Sequence, residues 1–424
     1  MNVLIIAGAG TSVELGVPGM AGLAEEFIEH SRQWDIEPSI VDQILGKTPD
    51  IEHLIEELDH ICTARGSLQA IGENNLQFDR YDKVRAEVEW FIQHAAERVL
   101  PREAALMWGG TLRSCCQLNL TIVTTNYDRA IEIAANAENV RLDDGFGAFD
   151  QRETAAWQGF GRNPDQLTLA KIHGSTDWYS EGDSGRPMKL RHPMPLFGRA
   201  ELQLPDGSRL GSALILPSRE KLLTRDPYPR LSQAFLNAGD TCDLAVIIGS
   251  SLRDHHLRGA AQAIAKRVPT FVVNPSGTAQ GIDNATAIAK NASSFLIGIL
   301  PAALTSSDPI KWLSSIRNNK SAYNGSSLYA LRIAIDDDEE TSSRCRAVEQ
   351  LVEESLVLDT HWMGQLLKCP NPDVARYALG LILSSPQQNE LLKLAASSIH
   401  AERNPAFLED LNILRKMTAD KVAD

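Results

Sequence analysis

Short runs in which nearly every residue is apolar set the strongest limit on how this chain folds. They are Val3–Ala7, Leu120–Thr124, Leu167–Ile172, Ala213–Leu216, Leu244–Ile248 and Thr270–Val273. A strand that is apolar on both faces must be covered on both faces, which is the situation of a central strand in a parallel sheet. Segments of helical periodicity stand between these runs. Met20, Leu23, Ala24, Phe27 and Ile28 follow the first, and Ala260–Lys266 lies between the last two. Alternating strands and helices predict an α/β fold with a Rossmann-like, doubly wound parallel sheet.

The spacing between the first two strands is too long for an ordinary crossover. Residues 35–110 carry two helical stripes, Ile51, Leu54, Ile55, Leu58 and Val84, Val88, Phe91, Ile92, Ala95, Val99. They read as an inserted helical module. Gly182–Gly211 is rich in Gly, Pro and charge and reads as loop or irregular hairpin. After residue 300 the strand signals fade. Amphipathic stripes follow at Val374, Tyr377, Ala378, Leu381, at Leu391, Leu394, Ala395, Ile399 and at Phe407, Leu408, Leu411, Leu414. The expected division is 1–300 for the α/β domain, with its insertion, and 301–424 for a small all-α domain suited to assembly.

Composition excludes several classes. With 43% hydrophobic and 23% charged residues the chain is globular, not disordered. Lys and Arg total 41 against 55 Asp and Glu, a formal charge of −14, so direct nucleic-acid binding is not expected. No run approaches the about 18 consecutive apolar residues of a membrane span, and no membrane contact is expected. No basic segment precedes the first apolar run, which reads as a buried strand and makes the cytoplasm the expected compartment. The six cysteines, Cys62, Cys115, Cys116, Cys242, Cys345 and Cys369, form no C-x-x-C pair, which argues against zinc and against a disulfide framework. His255 and His256 are adjacent and cannot easily point at one ion from a helix or strand.

The candidate chemistry sits at strand ends. Gly8-Ala9-Gly10-Thr11-Ser12 follows the first strand, where glycine permits close approach of a phosphate and a helix start offers N–H groups. A tight strand-to-helix turn without a ligand has the same pattern. Thr124-Thr-Asn126-Tyr-Asp128 ends the second strand; Asn126 donates and accepts, Asp128 accepts, and either also suits a helix N-cap. Lys171-Ile-His173-Gly-Ser175 offers a histidine at the same edge, a candidate general base or a structural residue. Gly249-Ser250-Ser251 and Asn274 end two more strands and suit phosphate and ribose contacts, or simple turns.

Together with Gly16-Val-Pro18, these motifs resemble the sirtuin (silent information regulator two) family in order and sheet position over residues 1–300. The resemblance implies that Gly8, Ala9, Gly10 and Ser12 cradle the phosphates of NAD, with Thr11 and Pro18 in the same binding stretch. It implies that Asn126 lies near the nicotinamide ribose, that Asp128 holds the carboxamide and that His173 is catalytic. Gly249, Ser250 and Ser251 match the adenine-side loop, and Asn274 the adenosine-ribose asparagine. Protein-deacylating members carry two zinc-binding C-x-x-C pairs and read G-I-P-D-F-R after the first motif. This chain has no such pair and reads Gly16-Val-Pro-Gly-Met-Ala21. Both departures weigh against acyl-lysine chemistry.

The helical insertion, the Leu216-Pro217-Ser218 segment and the helical tail are more similar to the sirtuin-like proteins of bacterial anti-phage defence. Most similar is the component that assembles with a HerA-type ring ATPase. The function this implies is an NAD+ glycohydrolase, with NAD as substrate and no zinc, working as a homo-oligomer larger than a dimer on that ATPase. Asn126 and His173 are then the catalytic residues. The alternatives are an NAD-dependent deacylase and a non-hydrolytic NAD or ADP-ribose sensor. A hydride-transfer dehydrogenase fits less well, because the glycine spacing differs from the dinucleotide fingerprint.

Overall fold

The computed structural model describes residues 1–45, 50–70, 78–114, 118–161, 166–182, 185–193, 201–204, 207, 209–215, 227–316, 327–336, 339–353, 360–367, 369, 374, 375 and 378. The strands are β1 (Asn2–Ala7), β2 (Asn119–Thr124), β3 (Leu142–Asp143), β4 (Thr154–Ala156), β5 (Leu167–Lys171), β6 (Trp178–Glu181), β7 (Arg186–Leu190), β8 (Glu201–Gln203), β9 (Arg209–Ser212), β10 (Leu244–Ile248), β11 (Thr270–Asn274) and β12 (Thr286–Ala289). Helices α1 (Gly10–Val13), α2 (Met20–Gln33), α3 (Pro38–Leu45), α4 (Ile51–Ala70), α5 (Phe78–Ala96) and α6 (Pro101–Arg113) lie between β1 and β2. Three more, α7 (Ala130–Ala137), α8 (Tyr228–Thr241) and α9 (His255–Ala265), connect later strands. Past β12 the described chain is helical: α10 (Ala292–Ser294), a π-turn over Phe295–Ile299, α11 (Leu300–Thr305), α12 (Pro309–Ser314), α13 (Ser327–Ile335), α14 (Thr341–Glu353) and α15 (Thr360–Leu367).

Seven strands form one parallel sheet in the order β12-β11-β10-β1-β2-β5-β3. This is the Rossmann-like, doubly wound α/β fold expected from the apolar runs. Successive side chains of β1 enter opposite cores: Val3, Ile5 and Ala7 join one apolar cluster, Leu4 and Ile6 the other. That two-sided burial is why the strand is apolar from Val3 to Ala7. The strand order reverses at β1. The chain leaves β1 toward β2 and later returns to β10 on its other side, so a crevice opens outside the carboxyl ends of β1 and β10.

The helical insertion has its own core. Leu23 and Phe27 of α2, Val41 of α3, Leu54 and Leu58 of α4, and Val88 and Phe91 of α5 pack together, with Tyr127 beyond β2 joining them. Apolar residues after 300, among them Leu331, Val348, Leu351 and Leu366, belong to the cluster that covers one sheet face. The stripes that begin at Leu391 and Phe407 lie outside the described residues, as do Tyr377 and Leu381.

One expectation is refined and one is corrected. The described parts of 182–211, expected as loop or irregular hairpin, hold β7, β8 and most of β9, which with β4 and β6 form a second, antiparallel sheet in the order β4-β7-β6-β9-β8. Its strands are short and mix apolar with charged positions, as Met188, Lys189 and Leu190 do, so no continuous apolar run marks them. Residues 213–215 of the expected strand Ala213–Leu216 form no ladder, and 216 lies outside the described residues. Their backbone instead hydrogen-bonds the turn after β5, Ile215 N–H donating to the His173 carbonyl at 3.0 Å.

Candidate active site

The crevice at β1 and β10 deepens into a cavity of about 540 Å³. Its floor depends on two glycine turns pressed together. A Cβ on Gly10 would lie 2.8 Å from the Gly249 Cα, and one on Gly249, which has φ +59°, would lie 2.7 Å from the Thr11 nitrogen. Any larger residue at either position forces the loops apart. The contact also consumes donors. Gly10 N–H donates to the Gly249 carbonyl, Thr11 N–H to Gly8 and Ser12 N–H to Ala9. The expectation that the first helix presents free N–H groups is therefore corrected: α1 is a single turn whose opening amides are spent. The amides of Ala9, Ser250 and Ser251 have no acceptor among the described residues. Neither have those of Met20, Ala21 and Gly22, at the uncapped start of α2 on the cavity wall.

Asn126 and Asp128 approach the same floor from the end of β2. The Asn126 Nδ2 group donates toward the Gly8 carbonyl (3.1 Å), Thr11 Oγ1 (2.9 Å) and Ser12 Oγ (2.8 Å). A carbonyl only accepts, so Gly8 fixes which side of the amide is nitrogen. No described residue donates to its Oδ1. Ser12 Oγ passes its own hydrogen to Asp128 Oδ2 at 2.6 Å, while Asp128 Oδ1 accepts from Ala130 N–H at 3.0 Å and starts α7. Asn126, Ser12 and Asp128 thus form a chain of hydrogen bonds with one direction.

Beneath this chain lies a buried charge cluster. Lys171 Nζ, 1% exposed, donates to the Asp128 and Tyr127 carbonyls and pairs with Glu132 Oε1 at 2.9 Å. Burial raises the Glu132 carboxyl above its usual range despite that partner. His173 follows Lys171 by two residues and is itself buried on the cavity wall. Its Nε2 lies 3.5 Å from Asp254 Oδ2, and its ring is 6.5 Å from that of Tyr127.

The cavity therefore brings together Gly8, Ala9, Gly10, Ser12, Pro18, Asn126, Asp128, His173, Gly249, Ser250 and Ser251. Two predicted residues stand apart from its wall. Thr11 is buried and its hydroxyl donates to the Gly8 carbonyl at 2.8 Å. Asn274 is at the same sheet edge, but its Nδ2 donates to the Thr278 carbonyl at 2.7 Å and its Oδ1 accepts from Ser276 Oγ at 2.6 Å, closing its own turn. Sequence reading missed the acidic wall residues Asp50 and Glu52, and also Arg253 and Asp254. Asp50 and Asp254 had a local signal, an Asp directly before a helix; Glu52 and Arg253 had none. Among the described residues no three His, Cys, Asp or Glu side chains stand together as a metal site. No described helix is long and apolar enough to cross a membrane.

Several solved structures resemble the chain at low identity. A Sir2 homologue in complex with NAD is 13% identical, with a TM-score of 0.42 over 69% of this chain and 86% of that one. A Sir2 homologue variant in complex with ADP-ribose is also 13% identical, with a TM-score of 0.41 over 75% and 94%. A sirtuin bound to a propionylated peptide is 12% identical, with a TM-score of 0.37 over 70% and 90%. No curated protein matches the chain. Residues 120–292, from β2 through the start of α10, match the family model of the SIR2-like domain.

Proposed function

We propose that the chain binds NAD in the β1/β10 crevice and hydrolyses its nicotinamide–ribose bond, giving nicotinamide and ADP-ribose. The observation that carries this reading is the convergence of Asn126, His173 and both glycine turns on one cavity. The cavity is of a size that takes a small-molecule ligand. The open amides of Ala9, Ser250 and Ser251 and the start of α2 suit an anionic diphosphate. The SIR2-like match over residues 120–292 covers the strand ends that bear Asn126, His173, Gly249 and Asn274.

The nicotinamide ring is a cationic pyridinium in NAD+ and departs as neutral nicotinamide, so its positive charge passes to the ribose anomeric carbon as the bond breaks. The protein's work is to hold the ribose, exclude bulk water and admit one molecule on the opposite face. Asn126, its amide nitrogen anchored to Gly8, Thr11 and Ser12, presents Oδ1 to that water or to a ribose hydroxyl. His173 accepts the proton released as the new C–O bond forms. Asp128 fixes Ser12 and keeps lone pairs for the carboxamide NH2.

By the resemblance to anti-phage sirtuin-like proteins, this reaction serves defence by depleting NAD in the cytoplasm. The partner is a HerA-type ring ATPase, and the chain acts as a homo-oligomer larger than a dimer. The test is incubation of the full chain with NAD, with and without that ATPase, and chromatography for nicotinamide. Release in either arm is the expected result. Binding of NAD or ADP-ribose with no nicotinamide in either arm would replace the hydrolase by a sensor. Nicotinamide release that requires an acylated peptide would make it a deacylase.

A further inference from the structure

The contact between His173 and Asp254 lies outside the motifs that suggested the site. Asp254 follows the Gly249-Ser250-Ser251 turn and opens α9. One carboxylate oxygen, Oδ1, accepts from His256 N–H at 2.9 Å and Leu257 N–H at 3.3 Å. Those two bonds hold the carboxylate in one orientation at the cavity wall, and the other oxygen, Oδ2, lies 3.5 Å from His173 Nε2. The two side chains are 9% and 13% exposed, so water screens the pair poorly.

We propose that Asp254 is a positioning residue for His173. An ionised carboxylate only accepts, so it selects the imidazole tautomer with hydrogen on Nε2 and leaves Nδ1 as the basic nitrogen. When His173 takes a proton on Nδ1 from water or a ribose hydroxyl, the fixed negative charge stabilises the resulting imidazolium. The other described groups near the ring are engaged elsewhere. Tyr127, packed beside the ring, and Tyr228, whose hydroxyl lies by Gly174, are both held protonated by burial. Lys171 and Asp177 flank His173 in sequence and are paired with Glu132 and Lys189. Asp128 is held by Ser12 and Ala130, and Asp50 by the Glu52 amide. Glu52 and Arg253 share the cavity and add charges of opposite sign.

The proposal rests on the reading of His173 as general base, and its test is chosen to fail separately. In Asp254→Asn the cap of α9 survives, because Asn caps as well as Asp. The amide NH2 now faces Nε2 and donates, so the tautomer should invert. Nitrogen-15 NMR of histidine-labelled full-length protein, with His173→Gln for assignment, should show hydrogen on Nε2 in the wild type and on Nδ1 in the variant. The His173 titration should fall by about one pH unit in Asp254→Asn, since an opposite charge has been removed. The acid limb of kcat/KM for NAD should move down with it, with KM little changed. Hydrogen on Nδ1 in the wild type, or a titration that Asp254→Asn leaves in place, overturns the pairing. The NMR arm decides this even if the protein never cleaves NAD.

Discussion

At the scale of residues, the site is built from groups whose hydrogen bonds leave them few choices. Asn126 is anchored through its nitrogen, Ser12 through Asp128, and His173 faces Asp254. Asn126→Ala and His173→Ala should each cut nicotinamide release by roughly 10²–10⁴ while circular dichroism stays unchanged. If His173→Ala keeps near-normal turnover while Gly10→Val removes it, the cavity is a binding pocket and His173 is structural. Gly10→Val should remove binding altogether, because even its Cβ lies 2.8 Å from Gly249. Lys171→Met tests the buried floor. It leaves Glu132 and the Tyr127 and Asp128 carbonyls without their cation, and breaking such a pair costs about 3–5 kcal/mol. Urea denaturation should show that loss, and adding Glu132→Gln should restore part of it.

Among elements, the second sheet is tied to the first by charge. Lys189 on β7 pairs with Asp144 beyond β3 and lies 3.5 Å from Asp177 in the turn after β5. Burial pushes the Asp177 carboxyl up, but Lys189 and Lys171 pull harder and hold it below its ordinary 3.8. A depressed carboxyl contributes stability that is present above its unfolded value and is lost as pH falls through its folded one. Thermal unfolding should therefore show an acid limb below pH 3.8, and Asp177→Asn should flatten it while lowering Tm near neutrality. This tie was invisible in the sequence. Lys189, Asp144 and Asp177 carry no shared motif, and β3, β4 and β6–β9 are too short to announce themselves by apolar runs. The central strands were legible for the opposite reason, being covered on both faces.

For the whole molecule, the described helices beyond 300 share a core with the sheet, and α10, which precedes them, reaches the segment after the glycine turn. Glu14, just past α1, accepts from Ser293 N–H and Ser293 Oγ, both at 2.8 Å. Light scattering at micromolar concentration should report a homo-oligomer larger than a dimer, and pull-down should recover the HerA-type ATPase. A strict monomer that ignores the ATPase would remove the assembly proposal. Elemental analysis of the purified chain should find far less than one zinc per chain, as the absence of C-x-x-C pairs predicts.

The amino-acid sequence alone determined the parallel core, because two-sided burial writes itself into consecutive residues. It also determined which strand ends carry polar motifs, since a motif is local. Tertiary structure decided what those ends face. Thr11 and Asn274 stand in motifs as suggestive as their neighbours, yet turn to the Gly8 carbonyl and to the Thr278 loop. Asp254 becomes the partner of His173 only because β10 and β5 flank the central pair β1 and β2, on opposite sides. Glu52 reaches the cavity because α4 packs over Tyr127. Contacts between residues 80 and 120 positions apart depend on strand order and helix packing, which no single stretch of sequence encodes.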